Sequence, residues 1–160
     1  MPQITEKSII DAVMKLDNLT EDALEKLSET YTLEQENFIG YILSSAVEYE
    51  NDDLLDYLIY YFNIFSEALA QQGVKMNKIE DDMIDGFQEE YIATLDEFME
   101  SDDDELISTL CNQPMMLGFY VADIYGKDDE GNELDEELAN QLFIVGIAMI
   151  ALMNRAMINE

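Results

Sequence analysis

The chain has 160 residues, with 37 Asp and Glu against 7 Lys and Arg and no His, giving a formal charge of −30. Hydrophobic residues still make up 48%, with nine Tyr and seven Phe. That is too apolar for a disordered acidic tail, which lacks the buried surface to offset its ordering entropy. The absence of His removes Ser-His-Asp and Cys-His nucleophiles, His-bearing zinc and two-His iron sites, and the Glu-x-x-His pair of di-iron bundles.

The length suits one domain spanning 1–160, which buries roughly two-thirds of its unfolded surface. Only two Pro, at 2 and 114, interrupt the chain, and 3.6-residue periodicity dominates over strand-like alternation. The expectation is an all-α, single-domain bundle of seven or eight helices.

The first helix is expected over 5–17, with Thr5 as N-cap and Ile9, Ile10, Val13 and Leu16 on one face. Thr20 caps a second over 21–30, with Leu24 and Leu27 inward. Thr32, with Gln35 at capping-box spacing, starts a third over 33–49. The fourth runs from Asn51 or Asp52 to a stop at Gly73, and its 57–65 stretch is apolar around most of the cylinder, as in an enclosed helix.

The fifth helix, 78–100, is amphipathic. Ile84, Phe87, Tyr91, Leu95 and Phe98 step by 3, 4, 4 and 3, while Asp82, Asp85, Glu89, Asp96 and Glu100 form a stripe on the other side. Ser101 is the expected cap of a sixth helix over 102–112, whose acidic first turn suits the helix dipole. Pro114 fits the first position of a seventh, 114–125, and Gly126 ends it. A charged loop over 127–133 leads to an eighth helix, 134–158, apolar from Leu138 onward.

Gly before a large apolar residue recurs at Gly40, Gly86, Gly118 and Gly146. The irregular spacing argues against a strict solenoid, leaving a degenerate helical-hairpin array or, more simply, close helix contact at the glycines.

Further function classes fall away. The glycines never form a phosphate-binding loop, and no Gly-Lys-Ser/Thr is present. Seven cations are too few for a phosphate-neutralising face, so direct nucleic-acid binding is not expected, and an anionic membrane would repel the chain. The longest apolar run, Leu142–Met153, has 12 residues where a span needs about 20. Glu6 and Asp11 break the first apolar stretch, so no secretory leader is expected, and the single Cys111 points to a reducing, cytoplasmic setting.

Three features bear on function. The acidic stripe offers a negative rim to a basic protein partner. Its Asp82/Asp85 and Glu97/Glu100 pairs also have the spacing of divalent-metal segments in helical pyrophosphatases, but they lie on one helix, and few cations are available to hold a phosphate substrate. Asp128, Glu130, Gly131 and Glu137 match positions of a calcium loop whose first ligand would be Gly126, which leaves an ordinary acidic turn. Finally, Phe143, Ile147, Ile150, Met153 and Met157 make a candidate oligomer surface, with a Met cluster (115, 116, 149, 153, 157) suited to an adaptable contact. Cys111 has no basic neighbour and reads as a small hydrophobe.

The expectation is therefore a non-enzymatic protein, without cofactor or metal, that recognises a basic partner as an inhibitor, immunity protein or adaptor does. A metal-dependent phosphohydrolase is the alternative. Nucleic-acid mimicry is third, because i, i+4 carboxylates recur about every 6 Å along a helix.

Overall fold

Local chemistry sets most helix boundaries in a computed structural model that describes residues 2–128 and 130–158. Over these residues it contains eight helices and no strand: α1 (Glu6–Asp17), α2 (Glu21–Glu34), α3 (Glu36–Val47), α4 (Asp52–Gln72), α5 (Asp81–Ser101), α6 (Asp104–Cys111), α7 (Pro114–Tyr125) and α8 (Glu136–Ala156). Thr5 accepts from the Ser8 N–H and Thr20 from the Ala23 N–H, each satisfying an orphan donor of the first turn. Gly73 ends α4 in the left-handed region at φ 73°.

Three junctions differ from expectation, one being that α5 starts at Asp81 and not at 78, because Gln35 Oε1 holds the Ile79 N–H outside the helix. α2 continues through Thr32 to Glu34, so Thr32 is helical and caps nothing. Gln35 turns inward instead: its Nε2 donates to the Asn77 carbonyl and its Oε1 accepts from the Ile79 N–H. Likewise, Ser101 is the last residue of α5. The α6 cap is Asp103, which accepts from the Glu105 N–H, with Asp102 left-handed between them. Short Asp and Asn side chains tolerate that conformation better than most.

The helices gather about a central pair rather than in successive hairpins. α8 touches α3, α4, α5, α6 and α7, and α4 in turn carries α1, α2 and α3. Fifteen of the 21 residues of α8 are buried, which is why its cylinder is apolar all round. By length and composition α8 is long and apolar enough to cross a membrane, but 72% of its most apolar 18-residue window is buried among the other helices.

Tyr61 and Phe65 of α4 meet Phe119 and Tyr120 of α7 mostly edge to face, with the Tyr61 and Tyr120 centroids 4.8 Å apart. Among the four mid-helix glycines, only Gly146 serves close approach. A Cβ there would overlap the Tyr120 phenol, while Gly40, Gly86 and Gly118 face open space.

Glutamines fasten the irregular segments. Gln113 donates to the Pro2 carbonyl at 2.8 Å and to Asn154 Oδ1 at 2.9 Å, and accepts from the Ile4 N–H. Gln72 donates to the Gln3 carbonyl and accepts from the Thr5 N–H and Ser8 hydroxyl. Each closes backbone groups that no helix satisfies.

Candidate functional site

The fifth helix carries the acidic stripe as its outer face. Ile84, Phe87 and Tyr91 are buried, and Leu95 and Phe98 half-buried, against α3, α6 and α8. On the other side Asp82, Asp85, Glu89, Asp96 and Glu100 are all exposed, and none has an ion-pair partner among the described residues. Two large apolar side chains border the stripe on one flank: Ile92, 54% exposed, and Met99, 71% exposed. They follow Glu89 and Asp96 by three residues, so an apolar edge runs beside the carboxylates.

The protein's own cations do not offset this face. Five of the seven lie in ion pairs elsewhere: Lys7–Asp11, Lys15–Glu67, Lys78–Glu80, Lys127–Glu133 and Arg155–Glu90. Arg155 also sits over the Phe87 ring at 4.8 Å, tying α8 to the inner flank of α5.

The candidate oligomer surface lies in the interior instead. Ile147, Ile150 and Met153 are fully enclosed, Met157 is buried and Phe143 is half-buried against Phe98 and Tyr125. The physical reason is that α8 is the central helix, so its apolar surplus is covered within one chain. Of the expected Met cluster only Met115 is exposed.

The carboxylate pairs on α5 meet no third ligand. Among the described residues no three His, Cys, Asp or Glu side chains converge. In the 127–133 loop, of which residue 129 lies outside the described residues, Asp128 Oδ1 accepts from the Glu130 and Asn132 N–H groups and closes the turn. Cys111 is enclosed, its thiol donating weakly to the Ile147 carbonyl, and burial pushes its pKa up to about 12.

A second polar constellation is not anticipated by the pattern. On α4 Asn63, Ser66 and Glu67 share one face and are all buried, beneath α2. Lys15 of α1 pairs with Glu67 Oε1, and Tyr31 of α2 donates to Glu67 Oε2 at 2.7 Å. Desolvation, with the hydrogen bond and charge of Glu67 added, raises the Tyr31 pKa. Asn63 Nδ2 donates to Ser28 Oγ at 3.1 Å, whereas Asn63 Oδ1 and Ser66 Oγ have no partner. The available sequence signal is the i, i+3, i+4 spacing of three polar residues inside an otherwise greasy helix.

No known protein family, no curated protein and no solved structure matches the chain.

Proposed function

We propose that the protein acts by binding rather than by catalysis, and that it recognises a basic protein partner through the outer face of α5. The observation that supports this is the row of five exposed, unpaired carboxylates bordered by Ile92 and Met99. Carboxylates steer a cationic surface toward the face and set its orientation, while desolvation of the two apolar side chains supplies adhesion that salt does not screen. Inhibitors, immunity proteins and adaptors share that division of labour. The face is carried by a 21-residue helix anchored at Phe87 and Tyr91, so docking requires no rearrangement of the bundle.

The test uses charge reversal, because these positions are exposed and bear little on stability. Affinity capture with the wild-type chain enriches a cationic protein at about 50 mM salt and loses most of it at about 500 mM, where screening is strong. Asp85→Lys with Glu89→Lys abolishes that capture, and Ile92→Asp weakens it even at low salt. A capture profile unchanged by the double reversal defeats the proposal. Displacement of the partner by duplex DNA would identify the carboxylates as phosphate mimics.

A further inference from the structure

α2 differs from every other helix in having no buried residue among its 14, although it covers a buried stretch of α4. Beneath it α4 presents Asn63, Ser66 and Glu67, which are 6%, 7% and 2% exposed. Glu67 is compensated by Lys15 and Tyr31. Asn63 Oδ1 and Ser66 Oγ are not. An unpartnered polar atom in the interior costs about 1–3 kcal/mol, and an apolar residue of similar size would avoid that cost.

Beside α2 lies an open groove of about 810 Å³ with Asn63 in its lining. Leu16, Leu24 and Tyr60 form apolar walls, and Glu21, Glu25, Glu29 and Asp56 add four carboxylates. Each feature points to part of one ligand. The walls suit a hydrocarbon stem, the carboxylates a positive head, and the orphan acceptor an N–H donor. A guanidinium meets all three, since its plane stacks on an aromatic ring and its five donors exceed what one carboxylate can take. We propose that the groove between α2 and α4 is a binding site for an arginine side chain on a basic protein segment, with Asn63 as the buried acceptor and Glu25 and Glu29 as its counter-charges. Asn63 lines this groove, and its Nδ2 donates to Ser28 Oγ on the α2 wall, which leaves Oδ1 as its free acceptor.

This goes beyond recognition on α5 and shares with it only the sign of the partner's charge. The two sites lie on separate elements, α2 and α4 against α5, so they fail separately. The experiment is a nitrogen-15 NMR titration of the whole protein with N-acetyl-argininamide, using N-acetyl-citrullinamide as its uncharged isostere. The arginine probe shifts the amides of Leu24 and Tyr60 and the Asn63 side-chain amide, saturating in the millimolar range expected of a single side chain. The citrulline probe leaves them in place. Glu25→Gln with Glu29→Gln, both at exposed positions, weakens binding by about threefold or more, and Asn63→Leu removes it. Asp85→Lys with Glu89→Lys on α5 leaves it unchanged. The proposal is overturned if the groove resonances ignore the arginine probe, if citrulline shifts them equally, or if the Glu25/Glu29 double variant binds as tightly as wild type. The double variant decides the matter on its own should Asn63→Leu not fold.

Discussion

α8 and α2 are helices of one small bundle, yet they are buried to very different degrees. α8 buries fifteen residues and contributes backbone carbonyls to three buried donors: Tyr91 to Ile144, Tyr120 to Leu142 and Cys111 to Ile147. α2 has no fully buried residue; Leu24, Leu27 and Tyr31 are half-buried against the core, Tyr31 donates to Glu67, and Asn63 of α4 donates to Ser28. Apolar burial scales with area and resists local opening, whereas a few polar contacts exchange readily with water. One chain therefore combines an enclosed axis with a half-buried covering helix, and the unpartnered polar atoms lie under the latter.

The largest expected effect is at alkaline pH, where the buried donors around α8, and Tyr31 on α2 with them, must lose protons to the solvent. Burial pushes Cys111 from 9 up to about 12 and raises Tyr91 and Tyr120 above 10. The folded state holds these protons more tightly than the unfolded state. Their contribution is thus complete below pH 9 and is lost as pH climbs through about 12. Denaturant melts followed by circular dichroism should give constant stability from pH 7 to about 9, a steep fall above it, and no cooperative transition by about pH 12.

Single substitutions in α8 come next. Leu152 is fully enclosed, and Leu152→Ala should cost about 4 kcal/mol in the same melts, the loss of contacts plus a cavity. Gly146→Ala should cost about 2–3 kcal/mol, since the new Cβ overlaps the Tyr120 phenol, itself fully buried. Gly86→Ala on α5 provides the control. It meets open space and should stabilise by about 0.5–1 kcal/mol through helix propensity.

The apolar periodicity made the architecture legible, and the reasons are visible in particular residues. Ile84, Phe87 and Tyr91 fall on one face because a buried helix face needs that spacing, and Gly73 ends α4 because few other residues accept its backbone. The acidic stripe was equally legible, as the complement of that face. Three things were not. Whether an all-apolar helix becomes the centre of one chain or a seam between two depends on how many neighbours cover it, and α8 alone does not encode the five that do. Gln72 and Gln113 look like ordinary polar residues and Gln35 like a capping-box partner, because a side chain that clamps a distant backbone leaves no periodic mark. Asn63, Ser66 and Glu67 were masked by the greasy run around them, and their meaning depends on α2 lying across them.

Within the polar seam, Ser66→Ala should stabilise by about 1 kcal/mol, because it removes a buried hydroxyl without a partner and leaves the Glu67 contacts intact. Destabilisation there would mean that the hydroxyl is satisfied in solution.

The smallest effect is expected on α2 itself, and it separates the two modes of attachment most directly. Leu24 is only half-buried and lines the open groove, so its methyls already meet water on one side. Truncation to Ala therefore removes part of a contact and leaves no closed cavity, and Leu24→Ala should cost under about 1 kcal/mol, against about 4 for Leu152→Ala. Hydrogen exchange supplies the second half of the comparison. The amides of α2 should exchange through local opening, with protection well below that of α8, whose amides open only with global unfolding. Leu24→Ala should lower α2 protection further while leaving α8 close to wild type. Equal protection of the two helices, or a loss on α8 as large as on α2, would mean that α2 is bound into the same cooperative unit and cannot yield on its own.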